Sequence, residues 1–332
     1  MRHDFRGKSG PSAGNNVPHR SVMTEVRLIP TFKEDEAPPM AENVKVLRRR
    51  VRSIRNTKQI TRAMEMVSAA KLRRAQDLLL AGRPYAGKLQ ELLGHLASSA
   101  DTDHPLFAQR DVRRRLVVVV TADRGLAGAF NAQIIKRAEA VRRNSPVPVT
   151  LGIIGKKAND YFKGRGLDIA FAITDMAGRV SATRSREVAE NVTQMFMSGE
   201  VDEVTLIYNR FISTIQYVQM EEQLLPLDPE SLLGLAADHA AHGGRQVDYI
   251  LEPSPKDVFT SLLPRFVASK IYITLAETFT AEHAARMVSM SAATKNCEEL
   301  ISSLTLRMNK ARQAAITKEI LEIVGGAEAL KG

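Results

Sequence analysis

The pattern of apolar positions divides the chain into three textures. From Ala41 to Ala81 neither Gly nor Pro occurs, so a helix of roughly 60 Å is expected there at 1.5 Å per residue. Its apolar stripe, Val44, Leu47, Val51, Ile54, Ile60, Met64 and Val67, is thin and drifts around the helix. Gly82, Pro84 and Gly87 interrupt the pattern, and KLQELLGHLASSA resumes it. A different texture follows a loop at 101–114: LVVVVTA, with its β-branched run, has the look of a strand buried on both faces. Helical NAQIIKRAEAVRR, strand VPVTLGIIG, helix KKANDYFKGRG, strand LDIAFAIT and helix SREVAENVTQMFMSG come next. Glu203 to Phe211 and Thr214 to Leu225 read as further strands, and VDYILEP closes the region. Strands alternating with helices predict a parallel or mixed Rossmann-like sheet.

The third texture is the longest. Between Pro264 and Gly325 there is again no Gly or Pro, enough for up to ~90 Å of helix. Along it Met287, Met290, Thr294, Cys297, Ile301, Leu304, Met308, Ala311 and Ala315 recur in steps of three and four, which is a coiled-coil seam. The expected fold is therefore α/β with a long antiparallel α-helical coiled coil formed by the terminal helices and a Rossmann-like domain inserted between them. The expected organisation is a disordered extension over 1–40, a coiled-coil helix over 41–100, the α/β domain over 101–254 and the second coiled-coil helix over 255–332. The extension is polar, proline-bearing and aperiodic. Its acids argue against a mitochondrial-type presequence, it lacks the apolar core of a secretory signal, and Met40 offers an alternative start. Residues 227–245 read as a surface loop.

Composition narrows the function classes. Aromatic residues make up 5% of the 332 and Trp is absent, which suits long helices better than a β-sandwich core. No apolar run approaches the ~20 residues of a membrane span. Cys297 is the only cysteine, which excludes an internal disulfide and is placed for packing in the seam rather than for nucleophilic attack. The seven histidines show no metal-ligand spacing, and no GxSxG motif occurs. TADRGLAGAFN at 121–131 lies where phosphate-binding loops lie, yet has neither GxGxxG nor GxxxxGK[ST]. A tight strand-to-helix turn is the simpler reading. No catalytic residue, cofactor or metal site is expected.

The formal net charge of +10 points to an acidic partner. Between Lys45 and Arg74 eleven cations stand against one acid, Glu65. Basic helices enter nucleic-acid grooves, so a scaffold that binds nucleic acid is one alternative. The stretch has no aromatic residue for base stacking and matches no recognisable binding module.

Two terminal stretches carry a specific likeness. IRNTKQITRAMEMVSAAKLRRAQ with the following RPY, and ARMVSMSAATKNCEELISSLTLRMNKARQAAITKEILEIVGGAEAL, resemble the N- and C-terminal helices of the γ subunit of F-type ATP synthase. TADRGLAGAFN, EEQLLPL and YILEP fall in the order of that family. The resemblance implies a non-catalytic rotor shaft of the F1 sector, coupling ion translocation to ATP synthesis or hydrolysis on surrounding α and β subunits. It implies contacts with the ε subunit and the membrane-sector c-ring, and a peripheral position on the cytoplasmic face of a bacterial membrane. By motif, Met64 lies near a mobile acidic β-subunit loop, with packing in the coil as the alternative. Arg312 and Gln313 match a pair that bonds a β-subunit catch loop, and Thr317 and Glu319 match positions linked to coupling. The resemblance also implies that Arg73 and Arg74 are surface cations facing acidic β-subunit loops. The dithiol insertion of chloroplast relatives is missing.

Overall fold

A computed structural model describes residues 44–97, 104–228 and 252–329. The N-terminal extension, most of the 227–245 loop and most of VDYILEP lie outside the described residues. Helix α1 (Val44–Ala97) runs without a break through Gly82, Pro84 and Gly87, contrary to the expected interruption. Gly82 faces α5 (Pro255–Ala329), and a Cβ there would lie 3.0 Å from Tyr272 Cε1 and 3.3 Å from Ile273 Cδ1. The glycine lets a tyrosine and an isoleucine close onto the helix backbone. Pro84 is exposed and forfeits one helical N–H. Packing along the rest of the helix outweighs that loss.

The buried face of α1 follows a strict heptad. Leu47, Val51, Ile54, Lys58, Thr61, Glu65, Ser68, Leu72, Ala75, Leu79, Gly82, Ala86, Leu89, Leu93 and Leu96 are all buried or half-buried. Steps of four and three alternate throughout, the 3.5-residue period of a left-handed coiled coil. Ile60 and Val67, expected in the stripe, are 60% and 55% exposed. The seam was obscured because its middle positions are polar. Thr294 Oγ1 lies 2.9 Å from Thr61 Oγ1 and 2.9 Å from the Met290 carbonyl, its one proton serving either, and Thr61 Oγ1 lies 3.0 Å from the Lys58 carbonyl. Lys58 Nζ meets Glu298 Oε1 at 2.8 Å, and Arg83 reaches Glu277 at 3.5 Å. As residue numbers rise on α1 they fall on α5, so the helices are antiparallel.

On α5, Met290 and Cys297 are buried, while Met287, Ile301, Leu304 and Met308 are half-buried. The seam stops at Ala311; Arg312 to Ala327, including the expected seam residue Ala315, are all exposed. Val44, where the described part of α1 begins, is opposite Ala311 in this register. About 27 Å of single helix therefore extends beyond the described pair.

The sheet has the order β3-β2-β1-β4-β5. Strands β1 (Arg115–Val120), β2 (Val149–Ile154), β3 (Ile169–Ile173) and β4 (Glu203–Ser213) are parallel, and β5 (Gln216–Leu225) is antiparallel to β4. Helices α2 (Phe130–Asn144), α3 (Lys156–Lys163) and α4 (Ala182–Met197) complete the order of elements. Alternation along β1 assigns the two faces. Val117 and Val119 pack with Ile134, Ile153 and Phe162 toward α2 and α3. Leu116, Val118 and Val120 join Val188, Leu263, Leu275 and Leu93 in the larger core toward α4, α5 and α1. That shared core makes the described residues one compact unit. It also explains a departure from expectation: an 18-residue window of α5 reaches a mean hydropathy of 1.2, enough by length and composition to cross a bilayer. Sandwiched between α1 and the sheet, α5 is apolar on more than one side, as core helices are.

Candidate functional site

In open α/β sheets ligands bind outside the carboxyl ends of the strands, at the point where strand order reverses. Here that point lies between β1 and β4, and α5 fills the space beside it. Arg286 donates from Nε to the Gly125 carbonyl at 3.1 Å and from Nη2 to the Arg124 carbonyl at 3.2 Å. The same guanidinium pairs with Glu282 at 2.7 Å. His283 Nε2 lies 3.0 Å from the Gly178 carbonyl. Because a carbonyl only accepts, Nε2 carries the proton. Two glycines admit the helix: at Gly128 (φ +57°) a Cβ would lie 2.9 Å from Ser289 Oγ, and at Gly178 (φ +68°) 2.7 Å from His283 Cε1.

The loops that receive α5 are tied to one another. Asp123 accepts backbone N–H bonds from Lys156 at 3.0 Å, Asp175 at 3.2 Å and Ala177 at 2.7 Å, joining the loops after β1, β2 and β3. Asn131 Oδ1 accepts from the Ala122 N–H at 2.9 Å. The TADRGLAGAFN stretch is thus a strand-to-helix turn, two of whose backbone carbonyls, at Arg124 and Gly125, bond α5. Burial holds His283 down to about 4, aided by the nearby cations Arg286 and Lys71 and opposed by the Gly178 bond. Burial also pushes Glu282 up from the usual carboxylate range, against the pull of Arg286. The imidazole at this junction is neutral at neutral pH.

A second tie lies farther down the sheet. Glu277 of α5 is met at 3.5 Å by Arg83 of α1 and at 3.5 Å by Arg210 of β4. Arg210 Nη2 donates to the Tyr208 hydroxyl at 3.0 Å, and Tyr208 donates to Glu222 of β5 at 2.9 Å. Lys270 of α5 closes the chain of contacts on Glu222 at 2.5 Å. Burial raises Glu277 although both arginines oppose it. Burial acts the same way on Glu222, but Lys270, Tyr208 and Arg210 together hold it below the usual value. Burial and the Glu222 charge push the Tyr208 phenol well above its ordinary value. Partly exposed pairs of this kind add up to about 1 kcal/mol each. Their effect is to fix the orientation of β4 and β5 against both long helices.

The residues singled out from the sequence occupy two separate levels. Met64 is half-buried beside the α1 seam, and Arg73 and Arg74 are exposed on either side of the line from Leu72 to Ala75. Arg312, Gln313, Thr317 and Glu319 are exposed on the unpaired end of α5, where Thr317 Oγ1 donates to the Gln313 carbonyl at 3.0 Å. By helical rise Met64 lies about 30 Å along the axis from Arg312, and Arg73 and Arg74 about 45 Å, and no geometry joins the two groups into one site. The residues that hold the α/β part on α5, namely Glu277, Glu282, His283 and Arg286, were missed from sequence. Their signal was there: four ionisable residues in the Ala- and Thr-rich stretch LAETFTAEHAARM, each less than 9% exposed.

A stiff helical pair, gripped by an α/β foot whose ligand crevice is filled by one of the two helices, defines a shaft-bearing subunit. The family model described as ATP synthase matches residues 43–330. An ATP synthase gamma chain of Moorella thermoacetica is 46% identical over 286 residues, covering 86% of this chain and 98% of the relative. One of Chlorobium phaeobacteroides is 45% identical over 299 residues, covering 87% and 99%. Among solved structures, a chain of the Tetrahymena thermophila mitochondrial ATP synthase central stalk and c-ring matches with a TM-score of 0.54 and 25% identity, covering 70% of this chain and 99% of that one. A chain of the Euglena gracilis mitochondrial ATP synthase shares the fold, with a TM-score of 0.60 at 20% identity and coverage of 86% and 94%. The chain belongs to the ATP synthase gamma chain family.

Proposed function

We propose that the chain is the central-stalk rotor of the F1 sector of an F-type ATP synthase, coupling ion translocation in the membrane sector to ATP synthesis or hydrolysis on the surrounding subunits. One observation carries the mechanical part of this reading. A strictly heptad helix pair, bound laterally to a foot, continues as a bare single helix with every side chain from Arg312 to Ala327 exposed. Most helix stability in proteins comes from packing an apolar face, so an exposed end bearing Ile316, Ile320, Leu321, Ile323 and Val324 calls for a surrounding sleeve. The pair supplies stiffness, and the foot supplies a lever arm for torque.

In this reading the α and β subunits form the sleeve and carry the ATP chemistry; the chain contributes no catalytic group. Arg73, Arg74 and Met64 face the β subunits at the lower level. Arg312 and Gln313 bond a β-subunit loop at the upper level, with Thr317 and Glu319 beside them. Exposed cations exchange partners cheaply, because each contact adds only about 0–1 kcal/mol, and a rotor must release each sleeve position in turn. The foot meets the ε subunit and the c-ring, which makes the chain a peripheral membrane protein on the cytoplasmic face of a bacterial membrane. No observation favours the nucleic-acid alternative for residues 45–74. The test is copurification: a tagged chain should bring α, β and ε subunits with it as one ATPase complex. Recovery of the chain alone, or with nucleic acid in salt-sensitive complexes, would overturn the reading.

A further inference from the structure

Three cavities among the described residues include at least one carboxylate in their lining. Arg186 and Arg265 accompany Glu190 in the one between α1, α4 and α5. Lys136, Arg143 and Lys157 surround Glu139 between α2 and α3, and Asp111, Glu200 and Asp202 accompany the arginines at the foot of β1. The fourth differs. It measures about 330 Å³ and lies where α1, the loop after β3 and α5 meet. Lys71 and Arg74 enter from α1, Arg179 from the loop and His283 from α5, while Leu78 and Phe279 supply apolar wall. No carboxylate lines it.

Among the described residues, none of these three cations has a side-chain hydrogen bond or ion pair. Glu282, the acid near His283, pairs through Oε1 with Arg286 at 2.7 Å, and burial raises it against the pull of Arg286 and Lys71. The imidazole of His283 is neutral and donates to Gly178. The cavity thus gathers three cations from two separate parts of the chain, and the carboxylate near them, Glu282, is shared between Lys71 and Arg286. Like charges in a concave, partly apolar pocket repel, and such a pocket concentrates field on a counter-ion. The space equals about ten waters by their share of liquid volume, ample for a tetrahedral oxyanion. Guanidinium groups favour phosphate because their donors match its oxygens in pairs.

We propose that this cavity binds a phosphate group, free or carried by a nucleotide, through Lys71, Arg74 and Arg179. The bound group straps α1 to the loop after β3, across the same junction that His283 and Gly178 close from the α5 side. The proposal does not rest on the rotor reading.

The full chain is titrated calorimetrically with inorganic phosphate, ADP and adenosine at constant ionic strength. The expected result is saturable binding of phosphate, ADP or both, with a Kd of about 1 mM or tighter, and none of adenosine. Arg179→Gln and Lys71→Gln each weaken binding by about tenfold or more, Arg179→Lys keeps most of it, and Arg186→Gln in the neighbouring cavity changes nothing. Tighter binding of ADP than of phosphate assigns the nucleotide as the source, and the reverse order assigns free phosphate. Absence of saturable binding up to about 20 mM, equal binding of adenosine and ADP, or an equal loss in Arg186→Gln would overturn the assignment.

Discussion

Replacing Gly178 with Ala tests the grip of the foot on the shaft at a single atom. The residue has φ +68°, and the added Cβ would lie 2.7 Å from His283 Cε1, 2.9 Å from Nε2 and 3.2 Å from Glu282 Oε2. The left-handed backbone costs an alanine about 1–2 kcal/mol. The imidazole is 3% exposed and has no free direction, so relieving the overlap costs a further ~1–3 kcal/mol and strains the 3.0 Å bond to the Gly178 carbonyl. Together the substitution should cost about 3 kcal/mol, a large share of the ~5–15 kcal/mol of an ordinary domain. Urea denaturation followed by circular dichroism measures it. In a His283→Ala background the steric part disappears and only the backbone cost of about 1–2 kcal/mol remains. An equal cost in both backgrounds would show that Gly178 does not abut His283, and the argument for α5 filling the crevice would fail.

Three further outcomes are expected. His283 has a folded-state pKa of about 4, against an ordinary 6.5; as pH falls through 6.5 the unfolded chain takes up a proton that the folded chain refuses until about 4. Stability should fall across that window by up to about 3 kcal/mol, and His283→Gln should flatten this limb of a pH series; identical limbs would refute the assignment. Thr61→Val and Thr294→Val should each cost no more than about 1 kcal/mol, because the remaining hydroxyl keeps a backbone acceptor, the Met290 or the Lys58 carbonyl, and the double substitution should cost less than the sum of the singles; strictly additive losses in thermal denaturation would contradict the paired hydroxyls. Arg312→Lys should not support normal ATP-driven proton pumping in the assembled complex, because a lysine cannot reproduce a two-pronged contact with a carboxylate; wild-type pumping by that variant would remove Arg312 from the coupling contacts.

What the sequence revealed depended on how closely local pattern tracked tertiary burial. VVVV at 117–120 announced a strand covered on both faces, and both faces are covered. The α5 seam was readable because Met290, Cys297, Ile301 and Leu304 are apolar. On α1 the same 3.5-residue period was hidden, since Lys58, Thr61, Glu65 and Ser68 occupy seam positions while apolar Ile60 and Val67 face outward. Helix continuity through Gly82 and Pro84 could not be read locally, because contacts with Tyr272 and Ile273 override backbone propensity. The ties of the foot that lie outside α5 were illegible for another reason. Asp123, Arg210 and Glu222 are ordinary charges until the fold brings distant segments together. Met64, Arg73, Arg74 and the group from Arg312 to Glu319 owe their selection to family resemblance, and the partners proposed for them are other chains.

The central claim is that α1 and α5 turn as one rigid body inside a sleeve. Single-molecule rotation tests it directly: a rod is attached at Thr214, on the β4–β5 turn, in a complex fixed through its β subunits. The chain carries Thr61→Cys, Thr294→Cys and Cys297→Ser, so that oxidation locks the two helices at the hydroxyl pair now 2.9 Å apart. The account predicts unidirectional, ATP-fuelled rotation at the same rate before and after oxidation. Undirected motion in both states, or rotation that stops on oxidation and returns on reduction, would contradict it.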